Sequence, residues 1–263
     1  MYAFEYRRAK SVAEAAAALA ATGGKMLAGG QSLVGAMKLR LANPGTIVDL
    51  SGIAELKGIK KDGEAVVIGA LTTHADVASS PVVKQAIPAL AALAEGIGDR
   101  QVRNRGTIGG SIANNDPAAD YPAAVVGLGA TIHTDKRKIA ADDFFKGLYE
   151  TALAADEIIT ALSFPMPKKA AYVKFPQPAS RFALVGVFVA QTANGVRVGV
   201  TGAASHAHRA KPIEDALAKS FTADAAKAVK IPAGHLNSDL HGSAEYRAHL
   251  VSVLAGRAVA AMS

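Results

Sequence analysis

Ala28-Gly29-Gly30-Gln31-Ser32 and Gly106-Thr107-Ile108-Gly109-Gly110-Ser111 are the two stretches on which the reading of this chain turns. Each sets paired glycines beside hydroxyl residues, and each follows a pattern that joins a short strand to a further segment. Glycine tolerates positive φ and has no side chain to hold a ligand away, so such loops can aim successive backbone N–H groups at an anion. Two of them facing each other suit a diphosphate. Taken singly, a Gly-Gly pair marks an ordinary turn.

Working outward, Ser11-Val12-Ala13-Glu14 has capping-box spacing, and the alanine-rich run behind it stops at Gly23-Gly24, which predicts a first helix. Lys25 to Leu27 reads as a strand entering the first glycine loop, Ser32 as the cap of a helix through Arg40, and Thr46 to Leu50 as a strand. Asp62-Gly63 predicts a hairpin, Thr73 caps a short helix from His74, and Pro81 to Glu95 reads as one helix. Strands are expected at Ala130 to Thr134, at Ile139 and at Ile158 to Phe164. A linker follows around Pro165 to Lys169. Beyond it, Asn194-Gly195 predicts a type I′ hairpin between Phe182–Thr192 and Val196–Val200, and Tyr246, Leu250, Val253 and Leu254 stripe a last helix over 243–261.

With 263 residues the chain can bury a large core in one or two domains, and half of its residues are apolar against 19% charged, which rules against extensive disorder. Its longest uncharged apolar stretch, Pro122 to Thr134, is broken by Gly127 and Gly129 and is too short to span a bilayer. Arg7-Arg8 resembles an export signal, but Lys10 and Glu14 interrupt the region where an apolar core should follow, so a cytoplasmic location is expected. The net charge of +7 permits an anionic ligand or acidic partner, whereas the lack of tryptophan and the 5% aromatic content argue against nucleic acid. There is no cysteine, hence no disulfide, no thiolate-ligated cluster and no cysteine nucleophile. Redox chemistry must come from a bound cofactor.

The common nucleotide signatures fail. Gly127-Leu128-Gly129 has Ile132 where the third glycine of a dinucleotide fingerprint belongs, and Gly24-Lys25 is followed by Met26 rather than a P-loop hydroxyl. His206-Ala207-His208 lacks a third ligand at a metal-site spacing, His74 reads as a helix start or a satisfied polar contact, and Ser32 and Ser111 lack a nucleophile elbow. What remains is Asp116-Pro117-Ala118-Ala119-Asp120, directly after the second loop, where a carboxylate held near a diphosphate turn can accept from sugar or ribityl hydroxyls; two turn-forming aspartates are the plain alternative.

The ordered set Ala28 to Leu33, Met37-Lys38-Leu39-Arg40, Val102 to Ser111, Asp116 to Asp120, Tyr172-Val173-Lys174-Phe175, Arg181 to Val187 and Ser243 to Arg247 resembles the FAD-binding medium subunit of the molybdenum hydroxylases. That family includes the carbon monoxide dehydrogenase medium chain and is similar to the central flavin domain of xanthine dehydrogenase. The resemblance covers nearly the whole chain. It implies an α+β architecture with an FAD-binding fold of the vanillyl-alcohol-oxidase (PCMH) type: two N-terminal α/β subdomains, residues 1–57 and 58–167, and a C-terminal α+β domain, residues 168–263.

Carried over, the resemblance places the non-covalent FAD diphosphate on the backbone of Ala28, Gly29, Gly30, Gln31 and Ser32 and of Thr107, Ile108, Gly109, Gly110 and Ser111. Leu33, Ile97 and Ile159 line the cofactor, Asp120 meets its hydroxyls, and Lys174 stands near the flavin, where a cation would stabilise negative charge. Val34-Gly35-Ala36 and Asn114-Asn115 depart from the family pattern, the second with a possible change of polarity near the flavin. The resemblance further implies an electron-transfer subunit with no catalytic acid, base or nucleophile and no metal of its own. An iron–sulfur small subunit with [2Fe–2S] clusters and a large subunit with the molybdenum cofactor would complete a dimer of heterotrimers. A free-standing flavin oxidase and a nucleotide-binding scaffold are the competing readings.

Overall fold

The computed structural model describes residues 1–262. Its strands form three main sheets in chain order. In the first, β1 (Glu5–Arg8), β2 (Lys25–Leu27) and β3 (Thr46–Asp49) lie in the order β1-β3-β2, with both pairings parallel. Parallel neighbours need crossovers. Helix α1 (Val12–Thr22) supplies one and α2 (Leu33–Lys38) the other. Ser11 Oγ accepts from the Glu14 N–H, and Gly23, at φ +58°, closes α1 by donating to the Leu19 carbonyl. Ala15 and Leu19 of α1 then bury against Val48, Leu50, Ile53 and Leu56. Ser32 does not cap α2: its backbone is already helical and its hydroxyl makes no capping bond. That helix ends at Lys38, short of the expected Arg40, which is left-handed at φ +61°.

The second sheet is antiparallel throughout, in the order β4-β5-β10-β6-β7. Its strands are β4 (Ile59–Asp62), β5 (Ala65–Gly69), β6 (Thr131–Thr134), β7 (Lys138–Ala140) and, after a small hairpin of β8 (Phe145–Gly147) and β9 (Glu150–Thr151), β10 (Ile159–Pro165). Between β5 and β6 run α3 (His74–Ser79), α4 (Pro81–Ala86), α5 (Pro88–Glu95), α6 (Arg100–Arg103), α7 (Ile108–Asn114) and α8 (Tyr121–Leu128); α9 (Ala141–Phe144) follows β7. The helix expected over 81–95 is two helices. Pro88 has no N–H to continue the first, and it holds Ile87 at φ −143°.

The third sheet, β11 (Lys169–Pro176), β12 (Ala183–Thr192), β13 (Gly195–Thr201) and β14 (His208–Arg209), is an antiparallel meander in chain order. It is followed by α10 (Lys211–Lys219), α11 (Ala223–Lys227) and α12 (Ala244–Ala260). The β12–β13 turn is not type I′, because neither Ala193 nor Asn194 has positive φ; Gly195 does, at +109°. β12 is buried on both faces. Val185, Val187 and Val189 face the cluster that contains Leu250, Val251 and Leu254 of α12, whereas Phe188 and Ala190 join the core shared with α8.

Helix α8 is apolar all round and wholly buried, which is the pattern of a helix enclosed by protein rather than lying on a surface. It meets the third sheet through glycines: a Cβ at Gly199 would stand 2.1 Å from the Ala123 carbonyl oxygen, and one at Gly127 would stand 2.9 Å from Phe188 Cδ1. Arg197 locks the joint by donating to the Val126 carbonyl (3.0 and 2.8 Å) and pairing with Asp142. Glu157, just ahead of the central strand β10, braces the β6–β7 turn. Its carboxylate accepts from Arg137 (2.9 Å at each oxygen), Thr134 Oγ1 (2.8 Å) and the Ala154 N–H (3.0 Å), and the Arg137 bonds chiefly hold its pKa down at about 2.

Gly199→Ala is expected to destabilise the fold by about 1–3 kcal/mol through overpacking, read as a lowered melting temperature, while Gly234→Ala, with open space around it, leaves the melt unchanged. The Glu157 contribution to stability is complete above its ordinary pKa of 4.5 and fades as pH falls through about 2. Glu157→Gln should therefore lower stability at neutral pH and flatten the acid limb of a denaturation series across that window.

Candidate functional site: a glycine-lined cleft

β2 delivers the chain into the first glycine loop, and α2 begins directly after it. Gly30 is left-handed at φ +76°. Among the described residues, the N–H groups of Gly29, Gly30, Gln31 and Ser32 donate to no carbonyl and no side chain. Successive N–H groups without a partner are what a bound anion requires. A cavity of about 370 Å³ opens beside them, lined by Gly29, Gly30, Gln31, Val34, Lys38 and Arg105 among others, with cations and no carboxylate. Leu33 is half-buried at the start of α2.

The second glycine loop touches the first. A Cβ at Gly29 would lie 2.0 Å from the Arg105 carbonyl oxygen and 2.9 Å from Gly106 Cα, and one at Gly110 would lie 3.5 Å from Ala28 Cβ. Here the N–H groups are largely committed. Ile108 donates to the Thr72 carbonyl (3.1 Å), Gly109 to Ala70 (2.8 Å), Ser111 to Thr107 (3.0 Å), and Gly110 to Thr107 Oγ1 (3.2 Å). The expectation that the backbone of Thr107 to Ser111 offers its N–H groups to a diphosphate is thus changed. Those bonds anchor the loop to the end of β5, and the hydroxyls of the buried Thr107 and the half-buried Ser111 donate to no acceptor among the described residues. Glycine is required at 109 for a different reason than at 29, because a Cβ there would meet Ala70 Cβ at 2.5 Å.

His74 lies under this loop, its N–H bonded to the Gly106 carbonyl (3.0 Å) and its ring 5.2 Å from that of Tyr121. Burial, aided by Arg103, lowers its pKa to about 4, so the imidazole is neutral. Its Nδ1 and the Tyr121 hydroxyl are both buried without a partner among the described residues.

From Asn114 the chain turns through Asn115, left-handed at φ +44°, toward Asp120. Asn115 spends its amide on the Gly147 and Glu150 carbonyls (2.8 and 2.7 Å), so it pins the β8–β9 hairpin. Asp116 accepts from the Ala118 N–H (2.9 Å), a turn-forming role. Asp120 is buried. Tyr172 Oη donates to its Oδ1 (2.5 Å), and Lys174 Nζ stands 3.0 Å from Oδ1 and 3.3 Å from Oδ2. Burial pushes the carboxyl pKa up, against the pull of Lys174 and Tyr172. Lys174 also donates to the Gly96 and Arg181 carbonyls, 3.0 Å each. Its charge is therefore compensated by Asp120, and the lysine is a strut rather than a free cation.

The structure brings Ala28 to Ser32 against Thr107 to Ser111, and it brings Asp120, Lys174 and the Gly96-Ile97 turn together. Ile97 is half-buried there, its carbonyl held by Arg103 (2.9 Å). Ile159 is buried in β10, one residue before Thr160, whose carbonyl accepts the Ala70 N–H (3.0 Å); it stands behind the second loop. Tyr172 was missed by sequence reasoning as a site residue, although its i, i+2 spacing to Lys174 puts both on one face of a strand. Among the described residues no cluster of three metal-ligating side chains occurs, and no helix is long and apolar enough to cross a membrane.

Residues 2–167 match the family described as the FAD binding domain in molybdopterin dehydrogenase. The chain belongs to the FAD-binding medium subunits of the molybdenum hydroxylases. It is 38% identical over 278 residues to the carbon monoxide dehydrogenase medium chain of Hydrogenophaga pseudoflava, covering 97% of this chain and 96% of that one. It is also 38% identical over 249 residues to the nicotine 6-hydroxylase medium subunit of Paenarthrobacter nicotinovorans, covering 89% and 88%. Among solved structures, it superposes on a chain of the Hydrogenophaga pseudoflava carbon monoxide dehydrogenase with a TM-score of 0.90 at 38% identity, over 99% of this chain and 97% of that one. A chain of quinoline 2-oxidoreductase from Pseudomonas putida 86 gives 0.89 at 30%, with the same coverage of both chains. The medium-subunit fold is of the vanillyl-alcohol-oxidase (PCMH) type, its cofactor is FAD, and this chain is a flavoprotein oxidoreductase subunit.

In this medium subunit the Gly29 contact is the most sensitive point of the cleft. Gly29→Ala should leave the purified chain with less than about a tenth of the wild-type flavin absorbance, because relieving the clash separates the loops. Gly45→Ala, with no atom within 4 Å of its Cβ position, should retain full flavin content.

Proposed function

We propose that this chain is the electron-transfer subunit of a molybdenum-containing hydroxylase or dehydrogenase, holding FAD across the glycine-lined cleft. The observation that carries the assignment is the run of unpartnered N–H groups from Gly29 to Ser32 beside the Arg105–Gly106 backbone. These N–H groups, with Ala28 behind them and the hydroxyls of Thr107 and Ser111 opposite, would bind the diphosphate; Ile108, Gly109 and Gly110 shape the second wall. Asp120, held by Lys174, would accept from cofactor hydroxyls. Leu33, Ile97 and Ile159 would supply apolar surface that keeps water out. The divisions of the chain are placed near residues 57 and 167, between the three sheets.

FAD would supply the redox capacity that a cysteine-free chain lacks, and this chain, by holding it, would link the [2Fe–2S] clusters of an iron–sulfur partner to a quinone, NAD or oxygen as acceptor. A large partner chain with the molybdenum cofactor carries the substrate pocket, and the assembly is a cytoplasmic dimer of heterotrimers. The names of the relatives support this division, since those proteins are medium chains and subunits associated with carbon monoxide and nicotine chemistry on one shared fold.

The visible spectrum of the purified chain and mass analysis of the heat-released cofactor test the assignment. Oxidised-flavin bands with FAD released are expected, and reduction of that flavin should require the two partner chains plus substrate. A colourless chain that takes up no added FAD, or one releasing only FMN, overturns the proposal. Substrate-driven turnover without partners would identify a free-standing oxidase instead.

A further inference from the structure

Asp120 stands at the N-cap position of α8, where an aspartate ordinarily accepts from the first helical N–H groups, yet it makes no capping bond. Its carboxylate turns the other way, to Tyr172 and Lys174. A buried carboxylate is stable only when its oxygens are satisfied by well-placed donors. Tyr172 is half-buried against the core, and Asp120 is the sole hydrogen-bond partner of its hydroxyl among the described residues.

The third sheet is cut to fit this hydroxyl. Tyr172 pairs across β11 and β12 with Phe188, on whose ring it stacks at 6.3 Å, and Lys174 pairs with Gly186. A Cβ at Gly186 would stand 2.3 Å from Tyr172 Oη and 2.9 Å from Thr201 Cγ2, so the phenol occupies the space that a larger residue at 186 would need. Every donor direction of Lys174 is used, by Asp120 and by the Gly96 and Arg181 carbonyls. A chain of contacts thus runs from Tyr172 through Asp120 and Lys174 to the turn that carries Ile97.

We infer that Tyr172 is the positioning residue of the cofactor cleft: its hydroxyl fixes the Asp120 carboxylate, and through it the Lys174 ammonium, in the arrangement that receives FAD. This rests on the FAD assignment above. Without the hydroxyl, the carboxylate is free to rotate toward the N-terminus of α8 or to draw Lys174 off the Gly96 carbonyl. The titratable groups facing Asp120 are Tyr172 and Lys174 of β11 and the adjacent Tyr121 of α8, whose phenol is held in the neutral form by its burial and, secondarily, by the Asp120 charge; Arg181 turns its guanidinium to the Gly98 carbonyl (3.4 Å).

The test compares the full-length wild type, Tyr172→Phe, Asp120→Asn and the double variant. FAD affinity is measured by fluorescence titration from pH 5 to 9, and the Asp120 carboxyl is followed by carbon NMR in the cofactor-free chain. Tyr172→Phe keeps the ring on Phe188 and should leave the melting temperature within a few degrees. It should weaken FAD binding about tenfold and move the acid-side loss of affinity, together with the Asp120 carboxyl titration, to higher pH. In the Asp120→Asn background the same change should have no further effect. Equal weakening in both backgrounds, or an unshifted Asp120 titration, overturns the inference and leaves Tyr172 a packing residue. A wild type that binds no FAD overturns the cofactor assignment itself, whereas wild-type binding with an unaffected Tyr172→Phe overturns only the role of Tyr172.

Discussion

The cleft depends on the close approach of two backbones, Gly29 against Arg105 and Gly106. No side chain can stand at 29 without entering the Arg105 carbonyl. Because the loops touch, one of them can leave its N–H groups unpaired while the other spends its own on Thr72 and Ala70. One loop keeps its donors unspent and the other is its rigid abutment. The abutment is in turn fixed to the second sheet, since Ala70 receives the Gly109 N–H and donates to Thr160 of β10. Rigidity on one side and unmet hydrogen-bonding capacity on the other are what a polyanionic ligand site needs.

The other end of the cleft is organised by charge. Asp120 comes from the start of α8 and Tyr172 and Lys174 from β11, and the carboxylate is satisfied by the phenol and the ammonium. A buried ion pair of this kind adds little net stability, but removing one partner leaves a charge or a hydroxyl stranded. Its value lies in specifying geometry, here the relation of α8 to β11 and to the turn at Gly96.

Local signals were the legible ones. Ser11, Gly23, Thr73 and the Gly63 hairpin act within a few residues, and the structure uses each as its chemistry suggests. The glycine loops were legible as anion-binding candidates for the same reason. The division of labour between them was not, because the partners of Ile108 and Gly109 lie more than thirty residues upstream. Pro88 was readable as a break, yet the apolar run on either side masked it. Helix α8 was hidden by its uniformity: with no polar face it has no period to detect, and Gly127 reads as a turn until Phe188 is packed against it. Asp120 drew attention through its place after the second loop, but its partners depended on a sheet formed fifty residues later. That Lys174 pairs with Asp120 was likewise hidden, because sequence order does not reveal which carboxylate a strand lysine will meet.

The Asp120–Lys174 pair also bears on modularity. The matched family region ends at residue 167, and Asp120 lies within it while Tyr172 and Lys174 lie beyond it. The cleft is thus stitched across the seam between the middle sheet and the last one. Its parts cannot be exchanged as a cassette: a chimera that swaps in the glycine loops from a relative without the matching β11 would inherit the unpartnered N–H groups at one end and a mismatched ion pair at the other.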